Sequence, residues 1–131
     1  MNDAFSQHGA FSWCELMTTD VAAAKRFYGE LLGWSMADMP VGEVTYTVLK
    51  AGGQEVGGIM AITPDAAGAS PSWGAYVTVD DVDATAEKAQ ALGAKTIVPP
   101  TDIPDVGRFY MFQDPQGAVL SVISYLKKPA Q

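Results

Sequence analysis

A carboxylate stands in the strand-like segment FSWCELMT near the start of the chain, where charged side chains are rarely buried without a partner. Because side chains alternate across a strand, Glu15 shares a face with Trp13 and Met17. It can serve there as a general base or as a hydrogen-bond acceptor for a ligand. The alternative is a carboxylate at the solvated rim or one paired with Arg108. Glu15 is therefore the candidate catalytic residue, and Trp13 and Met17 are candidate ligand contacts.

Five aromatic side chains could together line a pocket for a flat or apolar ligand, with hydroxyl groups at its polar points. One of them, Tyr110, is also a candidate acid–base partner of Glu15. The alternative is that several of the five fill the sheet core or a dimer interface. The five are Trp13, Tyr46, Trp73, Tyr76 and Tyr110.

Three glycines interrupt strand-like segments: Gly57, Gly58 and Gly74. Glycine inside a strand indicates either the close approach of a ligand or another backbone, or a bulge in a curved sheet. Both interpretations remain open, and Gly58 and Gly74 join the candidate ligand contacts. Alternation in the last strand-like segment places Ser121 on a face with Val119 and Ile123, which adds a small hydroxyl to this set.

The remaining residues with reactive side chains have structural interpretations. Cys14, on the opposite face from Trp13, is typical of a small core residue. His8 precedes the first strand and is predicted to lie in a mobile tail. The acidic residues Asp80, Asp81 and Asp83 could be read as a metal-binding group. They are better explained as the first turn of a helix, where the helix dipole favours negative charge.

An internal repeat organises the chain. The segment SWCELMTTD at residues 12–20 returns as SWGAYVTVD at 72–80, and Leu32-Gly33 returns as Leu92-Gly93 at the same offset of sixty. Each copy begins with a strand-like run and continues into a helix that an aspartate can cap, Asp20 in the first and Asp81 in the second. A glycine at 33 and at 93 then ends each helix.

Three short strands are predicted after each of these glycines, so each copy has the order strand, helix, strand, strand, strand. One such module cannot bury both faces of its sheet, and two must combine. The predicted fold is α+β, with paired βαβββ modules forming a curved mixed β-sheet and helices on its outer face. The predicted strands are Trp34 to Met39, Val44 to Lys50, Glu55 to Ile62, Lys95 to Val98, Arg108 to Gln113 and Ala118 to Tyr125.

The length of 131 residues fits one domain, with module one at about 11–62, a linker at 63–71 and module two at about 72–125. A net charge of -7 disfavours nucleic acid as a partner. A single cysteine fits a reducing compartment, and no apolar stretch reaches the roughly 20 residues of a membrane helix. We therefore expect a cytoplasmic protein with no membrane partner.

The strings TTDVAAAKRFYGELLGW at 18–34 and VPPTDIPDVGRF with DPQGA further on resemble the vicinal oxygen chelate superfamily. This superfamily includes glyoxalase I, extradiol dioxygenases and bleomycin resistance proteins. The segments VPPTDIPDVGRF and DPQGA are most similar to its glyoxalase-like or hydroxylase-like branch. The resemblance covers about Phe11 to Tyr125 and implies the glyoxalase-like fold. The scaffold hosts many activities, so the fold does not name the function.

The resemblance also implies where a metal would bind. Metal-dependent members carry four His or Glu ligands, which by this resemblance fall on Trp13, Gly58, Gly74 and Ser121. None of these supplies an imidazole or a carboxylate, and the neighbouring residues offer only the thiol of Cys14. We therefore expect no metal and no other cofactor.

The sequence predicts a glyoxalase-like protein that binds a small organic molecule in the sheet cleft as a homodimer. One alternative is a metal-independent isomerase, lyase or hydrolase that uses Glu15 as acid or base. Another is sequestration of a drug or toxin, as in bleomycin resistance.

Overall fold

The computed structural model describes residues 4–41, 44–62 and 70–126. The chain forms two compact units, Trp13–Gly74 and a second one that combines Met1–Ser12 with Ala75–Gln131. We call them the first unit and the second unit. The strands and helices, in chain order, are β1 (Phe11–Thr18), α1 (Val21–Leu32), β2 (Ser35–Val41), β3 (Val44–Ala51), β4 (Gln54–Ala61), β5 (Ser72–Thr78), α2 (Val82–Ala91), β6 (Lys95–Ile103), β7 (Gly107–Gln113) and β8 (Val119–Tyr125).

The first unit is a mixed four-stranded sheet in the order β2-β3-β4-β1. Strand β1 runs parallel to β4, while β2–β3 and β3–β4 are antiparallel. Helix α1 covers one face, where Leu16, Leu49 and Ile59 form the buried core. The side chains packed against that core are Val21, Ala24, Tyr28, Trp34 and Met36.

Helix α1 has the termini that the sequence predicts. The Asp20 side chain accepts a hydrogen bond from the backbone N–H of Ala23, which satisfies a donor that the first turn leaves unpaired. Gly33 ends the helix with φ 72°, a left-handed conformation that costs glycine little. The β3–β4 hairpin turns through Gly52 and Gly53, both with positive φ.

The second unit repeats this arrangement in the order β5-β8-β7-β6, with β5 parallel to β8. Its core lies under α2 and contains Val79, Val82, Ala86, Tyr110 and Val122. Asp81 caps α2 by accepting from Ala84 N–H, and Asp83 lies in the first turn. The acidic group at 80–83 is thus part of a helix start, as predicted.

The residues before β1 pack against the second unit. The N–H of Gly9 donates to the carbonyl of Thr78, and the N–H of Thr78 donates to the carbonyl of Ala10. The Nδ1 atom of His8 accepts from the backbone N–H of Asp80 at 3.0 Å. His8 therefore contacts the start of α2 within the second unit, whereas the sequence predicted that it lies in a mobile tail before β1.

The predicted fold class, α+β with paired βαβββ modules, is confirmed. The main difference is β6, which runs on to Ile103 beyond the predicted end at Val98 because register shifts on either side of Val98 accommodate Pro99 and Pro100. Cys14 is exposed rather than in the core. Most of the predicted linker, 63–69, lies outside the described residues. Within the described ranges, no helix is long and apolar enough to cross a membrane.

Candidate functional site

The sheet face opposite α1 in the first unit, which we call the far face, carries the candidate catalytic carboxylate. Leu16 and Ile59 point toward α1, so their neighbours Glu15 and Gly58 belong to the far face. The register of β1 and β4 places Glu15 beside Gly58 and Met17 beside Met60. Glu15 is buried, with 9% of its surface exposed, which excludes the interpretation of a carboxylate at the solvated rim.

A chain of two hydrogen bonds links three of the predicted site residues. The Trp13 indole Nε1 donates to the Tyr46 hydroxyl at 2.7 Å. The Tyr46 hydroxyl in turn donates to Glu15 Oε2 at 2.8 Å. The bond from Trp13 is short for an N–H donor, and the bond from Tyr46 has the usual length for a hydroxyl donor. We call Trp13, Tyr46 and Glu15 the relay.

The relay depends on a glycine beneath it. The Tyr46 ring lies over Gly58, and a β-carbon added at Gly58 would collide with the Tyr46 hydroxyl and ring carbons. Glycine is required at position 57 for a different reason. A β-carbon there would collide with the carbonyl oxygen of Cys14 on the neighbouring strand. The close-approach interpretation thus accounts for both glycines, and a register shift between Leu49 and Lys50 on the partner strand adds the bulge.

The surroundings of the relay are apolar and rich in thioethers. Met17 and Met60 are half-buried next to each other in register, and Met39 of β2 lies opposite Tyr46 with 47% of its surface exposed. Val48 lies opposite Gly58 and is buried. Methionine side chains are flexible and polarisable, so such a face can adapt to ligands of different shape.

The second tryptophan of the repeat lies elsewhere. Trp73 Nε1 donates to the Tyr28 hydroxyl of α1 at 3.2 Å, and the Trp73 ring lies 6.0 Å from that of Trp34. Because Tyr28 and Trp34 pack on the α1 side of the sheet, Trp73 does not join Trp13 on the far face. The prediction that both tryptophans line one pocket is not retained.

The corresponding face of the second unit, opposite α2, carries different groups. Tyr76 and Ser121 are neighbours in register and both are buried, and Met111 lies on the other side of Ser121. The Tyr76 ring lies 6.4 Å from the ring of Phe109. In the first unit, Gly74 is open, since an added β-carbon would meet nothing within 4 Å.

Tyr110 is in the core and not at a ligand-accessible surface. It has 0% of its surface exposed, packs under α2, and shares a hydrogen bond of 2.9 Å with the hydroxyl of Thr96. Its ring stacks on Phe112. A fully buried phenol cannot reach a substrate without opening the core, so the assignment of Tyr110 as an acid–base or pocket residue is corrected to a structural one.

Arg108, the alternative partner considered for Glu15, is bound within the second unit. Its guanidinium donates to both carboxylate oxygens of Asp83 at 3.0 Å and to Asp102 at 2.9 Å. The bond from Arg108 holds the pKa of the Asp83 carboxyl below its usual value. In the first unit, hydrogen bonds from Thr47 and then Lys25 lower the pKa of Asp38. Both carboxylates thus have structural partners.

A groove of about 470 Å³ runs along α2 in the second unit, on the side away from Ser121 and Tyr76. It is open to solvent, and the residues that line it include His8, Ala84, Lys88, Ala89, Leu92 and Pro115. It contains none of the predicted site residues. The far face of the first unit is therefore the stronger candidate site, because it combines a buried carboxylate with ordered donors.

Comparison with known proteins identifies the family. Residues 10–122 match the Glyoxalase/Bleomycin resistance protein/Dioxygenase superfamily. The chain belongs to this superfamily. It is 44% identical over 126 residues to the proposed glyoxylase CFP32 of Mycobacterium tuberculosis, with 95% of this chain and 46% of that protein covered. It is 32% identical over 127 residues to the anthracycline biosynthesis protein DnrV of Streptomyces peucetius, with 87% and 46% covered.

Solved structures of the superfamily show the same fold. Methylmalonyl-CoA epimerase from Mycobacterium tuberculosis matches with a TM-score of 0.67 at 13% identity, covering 91% of this chain and 89% of that one. At this identity the likeness shows the fold alone. The chain spans about half the length of the curated relatives it matches, 46% in each case.

The positions that the resemblance assigns to superfamily metal ligands do not fit a divalent cation. The indole nitrogen of Trp13 has no lone pair to give and already donates to Tyr46, while the ring of Tyr46 takes up the space over Gly58. Gly74 has no side chain, and a neutral hydroxyl such as that of Ser121 is a weak ligand. In the described parts of the chain, no three His, Cys, Asp or Glu side chains form a metal-binding group.

The pairing of Tyr46 with Glu15 was the main feature that sequence reasoning missed. Tyr46 was predicted to line the pocket, but nothing predicted that its hydroxyl reaches Glu15. Gly58 was the available signal, since a strand glycine marks room for a neighbouring ring. Tyr125 was also missed. Burial raises the pKa of its hydroxyl, and a hydrogen bond of 2.7 Å to Ser12 opposes that shift.

Proposed function

We propose that the protein binds a small, flat, largely apolar organic molecule on the far face of the first unit. The observation that carries this proposal is the relay, in which Trp13 and Tyr46 order a buried carboxylate beside Met17. Ligand sites typically combine an apolar lining with a few fixed polar groups. The far face has this composition, with Gly58 leaving the space that the Tyr46 ring uses.

The printed names of the relatives support a small-molecule role. One is a proposed glyoxylase and another belongs to anthracycline biosynthesis, and both names concern small organic compounds. These relatives are about twice the length of the part that matches, so their whole activities are not transferred. The proposal rests on the relay, and the names agree with its ligand class.

The two tryptophans provide a matched test, because each donates its indole N–H to a tyrosine. Calorimetric titration with planar aromatic compounds, acridine among them, is carried out on the unmodified protein, Trp13→Phe and Trp73→Phe. We expect Trp13→Phe to weaken binding about tenfold, the effect of losing about 1.4 kcal/mol, and Trp73→Phe to leave it unchanged. Failure of every compound to bind, or equal loss in both variants, would overturn the proposal.

Metal-independent acid–base catalysis is the second candidate, favoured by the hydrogen bond between Tyr46 and the buried carboxylate of Glu15. A base in this position can remove a proton from a bound substrate. Turnover that Glu15→Gln removes while binding survives would support it. Binding with no product by mass analysis would instead favour sequestration of the ligand, the role considered for a resistance protein.

We further propose a homodimer that covers the outer side of α1. Phe27 and Leu31 lie one turn apart on this helix and are 57% and 61% exposed, with Leu32 beside them at 52%. Such apolar exposure is uncommon on a monomer surface. Sedimentation of Leu31→Glu should show a monomer, while Ala91→Glu on the exposed side of α2 should remain a dimer. A monomeric unmodified protein contradicts this proposal.

A cytoplasmic location stays a prediction.

A further inference from the structure

A row of four side chains crosses the second unit on the face opposite α2. Tyr76 of β5 lies beside Ser121 of β8. Met111 of β7 lies on the other side of Ser121 and is followed by Val98 of β6. The next residue along β8, Val122, packs under α2, which places the row on the opposite side of the sheet. We call these four side chains the Ser121 row.

The Ser121 hydroxyl makes no hydrogen bond among the described residues, although only 3% of the surface of Ser121 is exposed. In the same part of the chain, every side-chain oxygen or nitrogen that is sealed from solvent has a partner. The Ser121 oxygen is therefore accessible to a small molecule, even though the rest of the residue is covered. Covered polar groups in proteins are nearly always paired, so an unpaired hydroxyl of this kind is available to a ligand.

The next row on this face shows how other hydroxyl groups are satisfied. It contains Thr78 of β5 and Thr101 of β6. Thr78 Oγ1 donates to the carbonyl oxygen of Ala4 at 2.6 Å. Thr101 Oγ1 donates to the carbonyl oxygen of Pro99 at 2.6 Å. Both threonines thus use an acceptor of the protein, and Ser121 differs from them in using none of the described ones.

The surroundings of the Ser121 hydroxyl are apolar and uncharged. The groups next to it are the buried ring of Tyr76 and the thioether of Met111. Arg108 of β7 is directed to the opposite face, where its guanidinium donates to Asp83 of α2. Aromatic rings and thioethers both pack favourably against flat rings. The row therefore suits an uncharged molecule with a flat apolar body.

A single hydroxyl restricts which polar group of a ligand can cover it. Ser121 has one hydrogen to donate, and a covered donor without an acceptor is costly. A ligand hydroxyl or amine that donates to Ser121 leaves this hydrogen unpaired, and one that accepts from Ser121 brings an unpaired hydrogen of its own. A carbonyl oxygen accepts from Ser121 and brings no hydrogen. A carbonyl group is therefore the best match.

We propose that the Ser121 row is a binding site for a small, uncharged aromatic ketone, with the Ser121 hydroxyl donating to the carbonyl oxygen of the ligand. The ring of the ligand packs against Tyr76 and Met111, and Ser121 fixes its orientation. This site belongs to the second unit. It is additional to the far face of the first unit and does not depend on the relay.

The first test uses 1-indanone and the unmodified protein. Titration followed by methionine methyl NMR should shift the signal of Met111 with a saturation curve. The signal of Met36, on the α1 side of the first unit, should not move. Absence of a shift at Met111 overturns the proposal. Shifts at Met17 and Met60 without one at Met111 also overturn it and support binding on the far face instead.

The second test removes the hydroxyl. Indane has the same ring system as 1-indanone but no carbonyl group. We expect Ser121→Ala to weaken binding of 1-indanone about tenfold, about 1.4 kcal/mol, and to leave binding of indane unchanged. Ser124→Ala is the matched control, because Ser124 lies on the same strand but its hydroxyl donates to the carbonyl oxygen of Val79 at 2.6 Å. It should leave the affinity for 1-indanone unchanged.

Urea denaturation compares the two serines in a second way. Ser121→Ala breaks no hydrogen bond among the described residues and should keep the midpoint, whereas Ser124→Ala loses the bond to Val79 and should lower it. An equal fall in midpoint in both variants would overturn the proposal, since Ser121 would then have a partner within the protein. Equal loss of affinity for both probes in Ser121→Ala, or equal loss of 1-indanone binding in both variants, also overturns it. These results leave the far face to be judged by the titrations with acridine.

Discussion

The two units have the same order of strands and helix but use the faces away from their helices differently. Both helices begin with an aspartate that accepts a hydrogen bond from the third residue after it, Asp20 from Ala23 and Asp81 from Ala84. In the first unit the far face carries a hydrogen-bonded carboxylate. In the second unit the corresponding face carries Ser121 among rings and apolar groups. The two units thus share their helix caps and a core under the helix, and they differ in the side chains on the opposite face.

The two tyrosines of the third strand in each unit illustrate how little separates these outcomes. Tyr46 of β3 lies on the far face and donates to Glu15, whereas Tyr110 of β7 points toward α2 and is fully buried. Side chains alternate across a strand, so a change of one position moves a residue to the opposite face. One tyrosine thereby joins the candidate site and the other joins the core.

The first prediction concerns one close contact between a glycine and a neighbouring strand in each unit. A β-carbon at Gly57 would collide with the carbonyl of Cys14, and one at Gly107 would collide with the carbonyl of Ser124. We expect Gly57→Ala and Gly107→Ala each to lower the free energy of unfolding by about 3 kcal/mol, measured by urea denaturation. Gly74→Ala, in open space, should change it by less than about 0.5 kcal/mol. Similar values for all three would contradict the strand contacts.

The second prediction removes the feature that distinguishes the first unit. Gly58→Ala forces the Tyr46 ring off the sheet and breaks the relay. We expect the free energy of unfolding to fall by about 2 kcal/mol and the affinity for acridine to fall about tenfold. Calorimetry with Gly74→Ala as the control checks the second effect. Unchanged affinity in Gly58→Ala would show that the relay does not contribute to binding.

The third prediction compares the effects of removing the hydroxyl group from each of the two tyrosines. Tyr110→Phe loses the bond to Thr96 and should lower the free energy of unfolding by about 1 kcal/mol without changing ligand affinity. Tyr46→Phe should weaken ligand binding instead, because the hydrogen bond from the Tyr46 hydroxyl to Glu15 is lost. Thermal denaturation and calorimetry of both variants give the comparison. A loss of affinity in Tyr110→Phe would return that residue to the candidate site.

The fourth and smallest effect concerns pH. The pKa values of Asp38 and Asp83 are lowered, by bonds from Thr47 and Lys25 in one case and from Arg108 in the other. A lowered pKa in the folded state adds stability above the ordinary value of 3.8, and this stability is lost as pH falls through the lowered value. Asp38→Asn and Asp83→Asn should each flatten the acid limb of stability against pH in urea titrations. A limb of unchanged slope would contradict these bonds.

The fold could be predicted from sequence because its signals are local and occur twice. Asp20 and Asp81 cap the starts of the two helices, and Gly33 and Gly93 follow their ends. The segment DPQG forms the predicted turn, in which the N–H of Gly117 donates to the carbonyl of Asp114. The end of β6 could not be predicted, because Pro99 and Pro100 argue against a strand and only the register shifts observed beside them allow it.

The candidate site could be predicted only in part. Alternation correctly grouped Trp13, Glu15 and Met17 on one face, since strand geometry fixes which residues share a side. The partner of Glu15 lies on another strand, and its distance depends on register and on the tilt of a ring. Neither the register nor the ring tilt can be read from the residues next to Glu15 in sequence. The predicted placement of Trp73 and Tyr110 was wrong for the same reason, because their surroundings also depend on other strands and helices.

The most direct test of the account is methionine methyl NMR during titration with acridine. Met17 and Met60 lie on the far face of the first unit, Met36 packs on its α1 side, and Met111 lies in the second unit. We predict that the methyl signals of Met17 and Met60 shift with a common saturation curve while that of Met36 does not move. Shifts at Met36 or Met111 without shifts at Met17 and Met60 would contradict a binding site on the far face.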